Sequence, residues 1–189
     1  MRPVRVYTAE GIVLKRRNVG EADRILTVFT KRLGKIRVIA KGVRRISSRR
    51  AGHIEVFSRV VLTLHAHASM DILTEAQAIT RGTMFDGDIA RVGYAYCMCE
   101  LVDQLLADRQ EHDDVFMLLR EGLDALHRTE DTAIWQETVS NFVHHLLWKL
   151  GFLSGASRIP ENEMRSYVEQ ITERKLRAWP VLTVTPRVS

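Results

Sequence analysis

The stretch from Lys35 to Arg50, KIRVIAKGVRRISSRR, constrains the fold more than any other part of the chain. Its first half alternates between apolar and mostly basic positions, as side chains do on the two faces of a β-strand. One face would carry Ile36, Val38 and Ala40, and the opposite face the remaining residues, which are Lys35, Arg37, Ile39 and Lys41. After Gly42 the alternation stops, and the loop collects four arginines, which are Arg44, Arg45, Arg49 and Arg50. The pattern therefore predicts a half-buried strand that continues into a strongly basic loop, and such a surface suits a polyanionic partner.

Four further strands are indicated around this one. Residues 7–17, 24–30, 56–66 and 71–79 are rich in β-branched and apolar side chains and are separated by turn residues. The last of these segments is also compatible with a helix. Gly11 lies within the first strand, where a glycine often marks the sharp bend that a small barrel needs. Five short strands predict a closed barrel, of which the OB-fold is the commonest nucleic-acid-binding version; an SH3-like barrel fits the same pattern.

After Gly82 the periodicity becomes helical. Apolar residues recur at helical spacing over residues 92–106, 115–126 and 135–150. Asp131 or Thr132 can cap the third helix, and Gly151 can end it.

A last helix is expected to begin at Pro160 and to stop at Pro180, followed by an extended or disordered tail over residues 181–189. The chain is thus predicted to have an α+β fold: an N-terminal five-stranded OB-fold barrel that binds nucleic acid (residues 1–82), followed by an all-helical domain (residues 83–189).

Charge divides the chain into two unlike parts. The first 60 residues hold 16 Lys and Arg against 4 Asp and Glu, whereas the remaining residues hold 12 against 19. This asymmetry predicts a part that faces nucleic acid and a part with another role. A merely solvated surface is the alternative, but such surfaces usually mix both signs. The cations expected to hold phosphates are Lys15, Arg16, Arg17, Arg24, Lys35, Arg37, Lys41, Arg44, Arg45, Arg49 and Arg50.

Aromatic side chains are few in the barrel region. Tyr7, Phe29 and Phe57 are the candidates for stacking on bases. Phe29 lies among apolar neighbours and is expected in the core, whereas Phe57 lies opposite the apolar face of its strand and is the better platform. Binding should therefore depend mainly on phosphate contacts and select weakly for sequence.

The sequence contains no constellation typical of an enzyme. Glu21 and Asp23 lie in a basic neighbourhood and are expected to pair with Arg24 or another neighbour rather than to hold a metal. The histidines do not form H-E-x-x-H, and Cys97 and Cys99, two residues apart on a helix, cannot bridge. We therefore expect no enzymatic activity, no catalytic residues, no metal site and no cofactor.

Membrane association is not expected. The longest apolar runs are only a few residues, too short to span a bilayer, and the start at Met1 shows no apolar segment of a secretory signal. A cytoplasmic location follows as the expectation.

Three N-terminal motifs resemble the bacterial recombination-repair RecO family. They are GIVLKRR (Gly11–Arg17), GEADRILTVFTKRLGK (Gly20–Lys35) and VIAKGVRR (Val38–Arg45). In the helical part, LLRE (Leu118–Glu121) and LLWKLGF (Leu146–Phe152) are similar to the same family. The resemblance covers residues 8–57 most specifically, and the helical part mainly by order and spacing.

The resemblance implies an OB-fold followed by a helical domain, with binding of single- and double-stranded DNA and annealing of complementary strands. It also implies a nucleoid-associated protein that works with RecR and SSB to load RecA. Many family members carry a four-cysteine zinc module after the position of Phe152, but LSGASRIPENEMRSY here contains neither Cys nor His. The resemblance is thus to a shortened form without the zinc module. The alternative function is a protein-interaction adaptor whose basic barrel binds RNA or an acidic partner.

Overall fold

The structure, a computed structural model, describes residues 5–45, 48, 50–85, 87–155 and 157–179. The chain forms two compact units. The first comprises Met1–Met84 together with Leu106–Phe116, and the second comprises Phe85–Leu105 together with Met117–Ser189.

The first unit is built on five strands: β1 (Val6–Val19), β2 (Asp23–Thr30), β3 (Gly34–Ala40), β4 (Arg59–His65) and β5 (Asp71–Thr80). They close into a ring in the order β1-β2-β3-β5-β4. The pairings are antiparallel except for a short parallel contact between β3 and β5. This OB-like ring followed by helices confirms the predicted α+β class, and residues 71–80 are a strand rather than a helix.

The interior of the ring is apolar. Ile36, Val38 and Ala40 of β3 are at most 1% exposed, which confirms the face predicted from the alternation. Gly11 takes part in both pairings of β1, opposite Thr30 of β2 and Val60 of β4. A bulge follows between Val13 and Lys15, so the long first strand bends where it passes from one neighbour to the other.

The segment Leu106–Phe116 falls within the predicted helical domain (residues 83–189), but in the structure it groups with the barrel unit. The Arg109 amide donates a hydrogen bond to the Lys35 carbonyl (2.8 Å), and the Phe116 ring lies 5.9 Å from that of Phe29. These two contacts join residues 74 and 87 positions apart in sequence, and local periodicity carries no information on such pairing.

The helices are α1 (Ile89–Leu105), α2 (Asp113–Arg128), α3 (Thr132–Lys149) and α4 (Glu161–Thr172), and short 3₁₀ turns cover Ala51–His53 and Gly82–Phe85. Asp131 caps α3 by accepting a hydrogen bond from the Ala133 amide (2.8 Å), and Gly151 follows its end with φ +79°.

The end of α4 differs from the prediction. The helix begins after Pro160 as expected, but it ends at Thr172, because Glu173 adopts a left-handed conformation with φ 52°. The assignment of the stop to Pro180 was therefore wrong. Pro180 and the tail that follows lie outside the described residues.

Two thiols are enclosed in the second unit. Cys97 and Cys99 of α1 are unpaired and 1% exposed, and burial raises the pKa of both. Among the described helices, none is long and apolar enough to cross a membrane.

Candidate nucleic-acid interface

The predicted cations fall into three groups in the barrel unit. The outer-face cations are Lys15, Arg17, Lys35 and Arg37; the Glu55 cluster consists of Arg16, Arg24 and Glu55; the basic loop is residues 41–50. The three groups differ in how many ion pairs and hydrogen bonds their side chains already form within the protein.

The strand register sets the outer-face cations in rows. Lys15 lies opposite Thr27, which lies opposite Arg37, so the two cations are two strands apart, about 10 Å. Arg17 lies in the next row with Ile25 and Ile39. Lys15, Arg17 and Arg37 are exposed. This face can present charge to a polyanion across three adjacent strands.

Asp108 occupies part of this face. Its carboxylate lies 3.6 Å from Lys35 Nζ and 3.1 Å from Arg37 Nη2. Lys35 is 7% exposed, although its position on β3 would otherwise face solvent. Arg37 keeps 61% of its side chain exposed. The Lys35 ammonium is therefore engaged within the protein, whereas the Arg37 guanidinium remains accessible.

The Glu55 cluster joins two strands to the loop before β4. Glu55 forms ion pairs with Arg16 and with Arg24, whose Nη1 lies 3.2 Å from Oε1. Arg24 Nε also donates to Asn18 Oδ1 (3.1 Å). Within the described residues Arg24 thus pairs with Glu55, and its expected pairing with Glu21 or Asp23 was wrong, because the chain folds a more distant carboxylate onto it.

Asp23 has a different role, at the start of the basic loop. Its Oδ1 accepts a hydrogen bond from the Gly42 amide (2.7 Å), and Gly42 has φ +65°. The Arg44 guanidinium donates to the Gly20 carbonyl (3.1 Å), while Arg45 is exposed. These contacts hold the beginning of the loop beside the β1–β2 turn.

Arg50 fixes the other end of the loop. Its Nη1 donates to the Leu73 carbonyl (2.8 Å) and more weakly to that of Thr74 (3.4 Å), and its Nη2 donates to the Lys41 carbonyl (2.8 Å). The guanidinium thus ties the loop to β5. Arg49, a predicted phosphate contact, lies outside the described residues.

The loop borders an open depression of about 690 Å³, which we call the loop depression. It is lined by Asp23, Lys41, Gly42, Arg45, Ser48, Arg50 and Thr74. Three of these residues are cationic, and the single carboxylate is already used as a backbone acceptor. The surface suits an extended polyanion rather than an enclosed small molecule.

The aromatic predictions have mixed outcomes. Phe29 is fully buried, as expected. Phe57 is only 7% exposed, so its assignment as a base platform was wrong. Strand β4 begins at Arg59, and Phe57 precedes it with φ 71°, so strand alternation does not govern its side chain. Of the Phe and Tyr side chains in the described barrel unit, Tyr7 alone is not buried.

Tyr7 lines a second depression of about 650 Å³, which the sequence did not reveal and which we call the Tyr7 cleft. The cationic residues around it are Arg5, Lys31, Arg32 and Arg109. Lys31 and Arg32 belong to the β2–β3 turn, and their charge was the one feature of the sequence that indicated this cleft. They come together with the other residues only through the closed ring and Leu106–Phe116.

Hydrogen bonds hold Tyr7 in place within the cleft. Its hydroxyl donates to Asp71 Oδ2 (2.6 Å), and Arg109 Nη2 lies 3.3 Å from the same oxygen. Burial alone would raise the pKa of Asp71, but hydrogen bonds from Tyr7 and the His67 amide, with the Arg109 charge, hold it below its ordinary value. Burial and the neighbouring carboxylate raise the pKa of Tyr7. The carboxylate therefore stays ionised and the hydroxyl stays protonated at neutral pH.

The described residues contain no group of three or more His, Cys, Asp or Glu side chains that could hold a metal ion. The histidines of α3 bond the backbone instead: His144 contacts the carbonyls of Ser140 (2.8 Å) and Ile159 (3.1 Å), and His145 that of Asn141 (2.7 Å).

Comparison with known proteins matches both parts of the chain. Residues 1–81 match the family model described as Recombination protein O N terminal, and residues 86–154 match Recombination protein O C terminal. The DNA repair protein RecO of Roseiflexus sp. (strain RS-1) is 38% identical over 148 residues, covering 78% of this chain and 51% of that protein.

Two further relatives carry the same name. RecO of Bifidobacterium adolescentis is 41% identical over 110 residues (56% of this chain, 44% of that protein), and RecO of Trichodesmium erythraeum is 31% identical over 155 residues (80% and 53%). The matches span about half the length of these relatives.

Proposed function

The chain belongs to the RecO family of DNA repair proteins, and from this premise we propose that it is a non-enzymatic mediator that binds single- and double-stranded DNA, anneals complementary strands and assists recombinase loading. Residues 1–82 would supply the DNA-binding part, and residues 83–189 the helical domain, with action at the nucleoid.

The observation that carries the proposal is the basic loop and the depression beside it. Arg44 and Arg45 are exposed, and Lys41, Arg45 and Arg50 line an open surface on an OB-like ring. OB-folds commonly use such grooves for oligonucleotides. Because three cationic residues line the depression against the single carboxylate of Asp23, the depression keeps a net positive charge.

Contacts of this kind are made to phosphates. Arginine forks bind phosphate oxygens in a bidentate manner and carry no direct information on sequence. If about five or six phosphates are neutralised, the logarithm of the single-strand binding constant should fall with the logarithm of salt concentration with a slope of about −4. Affinity should vary little among unrelated sequences.

Annealing follows from the same chemistry. Two complementary strands repel each other through their phosphates, and a cationic surface that neutralises both lowers this repulsion without cleaving any bond. This step requires no metal and no nucleotide cofactor. With the weak base contacts expected from Tyr7, the one Phe or Tyr of the described barrel unit that is not buried, the bases stay available for pairing.

The partners proposed with this role are RecR, SSB and the RecA pathway. They come from the family, and the chain spans only about half of the compared relatives. RecR binding, the site of the SSB contact and the dependence of either on a zinc module are therefore proposals for direct binding assays.

One experiment tests the role. The full chain is titrated into fluorescent single- and double-stranded oligonucleotides at several salt concentrations, and complementary strands are then mixed with and without SSB coating in a chelator. Salt-dependent binding and faster annealing would support the mediator. Absence of DNA affinity at low salt, with binding to RNA or an acidic protein, would favour the adaptor, and metal-dependent cleavage would indicate a nuclease.

A further inference from the structure

The Tyr7 cleft holds four cationic side chains and little free negative charge. Arg5 and Arg32 are exposed and Lys31 is half-buried, and none of the three forms an ion pair with a described residue. The two carboxylates at the cleft are already engaged: Glu10 lies 3.8 Å from Arg59 Nε, and Asp71 binds Tyr7 and Arg109. The cleft therefore carries an excess of positive charge, which suits an anion with several negative charges.

The cleft also holds an aromatic surface. Tyr7 is the only Phe or Tyr of the described barrel unit that is not buried, and its hydroxyl is anchored on Asp71. Leu33, 37% exposed, lines the same depression. Single-strand binding sites combine cations along the phosphates with aromatic rings on which bases stack. The cleft has both elements, whereas none of the described residues that line the loop depression is aromatic.

The cleft and the loop depression lie at opposite ends of the β2–β3 hairpin. The Thr30–Gly34 pair lies at the cleft end and the Arg24–Ala40 pair at the loop end, about 20 Å apart along the hairpin, while on β5 the two linings come within three residues of each other, at Asp71 and Thr74. Asp108 lies between them on the outer face of β3, bound to Arg37. Its carboxylate competes with phosphates for Lys35 and Arg37 on the direct path along β3 from one site to the other.

From this arrangement we propose that the Tyr7 cleft is a second single-stranded nucleic-acid site, in which Arg5, Lys31, Arg32 and Arg109 hold phosphates and a base stacks on Tyr7. The inference rests on the proposed function and extends it. A barrel with two separate strand sites can hold two strands at once, which is the geometry that annealing requires.

The first test changes charge at the hairpin turn. Arg32→Glu is compared with Arg81→Glu, a matched change at an exposed arginine that lines neither depression. The probe is fluorescent oligo(dT) within the roughly 4–16 nucleotides that an OB-fold binds. We expect Arg32→Glu to weaken binding by about tenfold and to flatten the single-strand salt slope by about 0.7 or more, with little effect of the control.

The second test addresses stacking. Tyr7→Leu removes the ring, and Tyr7→Phe keeps it while losing the hydrogen bond to Asp71. Because base–aromatic stacking contributes about 1–3 kcal/mol, Tyr7→Leu should weaken oligo(dT) binding at least about fivefold, and Tyr7→Phe should stay close to the parent. In the parent chain, oligo(dT) carrying one 5-iodouracil should form a photo-crosslink at Tyr7. Thermal unfolding is the control that each variant is folded.

The outcomes separate this inference from the proposed function. If Arg44→Ala/Arg45→Ala weakens binding but Arg32→Glu behaves like Arg81→Glu, the proposed function stands and the cleft is not a strand site. If the parent chain binds no DNA at low salt, both fail. If an Asp/Glu-rich peptide binds the cleft while Arg32→Glu leaves DNA binding intact, the site serves an acidic protein and the inference is overturned.

Discussion

Arg50 was predicted as a phosphate contact, and in the structure its guanidinium also holds the basic loop in place. Mutations can distinguish this bracing role from the contribution of its charge to DNA binding. Two hydrogen bonds of 2.8 Å link it to the carbonyls of Leu73 and Lys41. Hydrogen bonds from a charged donor contribute about 1.5–3 kcal/mol each, and the half-exposed position reduces this. We therefore expect Arg50→Ala to lower the free energy of unfolding by about 2 kcal/mol.

The expected change in Tm is about 4–8 °C, since 1 kcal/mol corresponds to about 2–4 °C in a chain of this size. Arg50→Lys should recover part of the loss, because an ammonium can still bond one of the two carbonyls. Arg45→Ala is the control: it removes the same charge from an exposed side chain and should change stability by less than about 0.5 kcal/mol. Thermal and denaturant unfolding measure both.

The same two variants, Arg50→Ala and Arg45→Ala, are then compared in DNA binding. Both variants should weaken single-strand binding, Arg45→Ala through charge alone and Arg50→Ala also through a displaced loop. Equal Tm values for Arg50→Ala and Arg45→Ala would refute the bracing role and leave Arg50 as a simple phosphate contact.

Three further predictions follow from the barrel unit. Arg44→Ala/Arg45→Ala should weaken binding to unrelated sequences by similar factors and flatten the single-strand salt slope by about 1.4; a strongly sequence-dependent loss would argue against phosphate contact. Asp108→Asn should tighten oligo(dT) binding about threefold, because repulsion between a carboxylate and a phosphate about 7 Å away costs about 0.6 kcal/mol in water. Unchanged affinity would exclude the outer face of β3 as a DNA contact. Gly34→Ala should destabilise more than Gly20→Ala in denaturant titrations, since both have positive φ but a methyl at Gly34 would collide with the backbone of Gln110, whereas one at Gly20 would meet nothing.

Local pattern predicted the inside of the ring well. Ile36, Val38 and Ala40 are buried because strand alternation and apolar character agree there, and Gly11 lies where the first strand passes between neighbours. The helical periodicity after Gly82 and the cap at Asp131 depend on equally local interactions, and they match the structure. Such features are encoded within a few residues of where they act.

The side of the strand that faces outward was less predictable. Lys35 alternates to the outside, yet it is buried because Asp108 packs over it from a segment far along the chain. Phe57 does not follow strand alternation because its backbone has a positive φ, and the sequence around it does not predict this conformation. In both cases non-local packing or backbone conformation overrides the period of two.

Composition also cannot separate the tasks of basic residues. Arg16 and Arg24 share one carboxylate, Arg50 bonds carbonyls, and Arg45 is exposed, although all four look alike in sequence. Composition reveals even less about the Tyr7 cleft, because its cations come from the start of β1, a hairpin turn and a distant segment. Only closure of the ring and the packing of Leu106–Phe116 in the barrel unit bring these residues together.

The central claim, that the basic barrel neutralises DNA phosphates so that complementary strands anneal without metal, is tested most directly by stopped-flow annealing of two labelled strands in EDTA. The account predicts that the parent chain accelerates annealing, that the acceleration falls steeply with added salt, and that Arg44→Ala/Arg45→Ala removes most of it while remaining folded. Annealing no faster than in protein-free buffer at low salt, or equal acceleration by the variant, would contradict it.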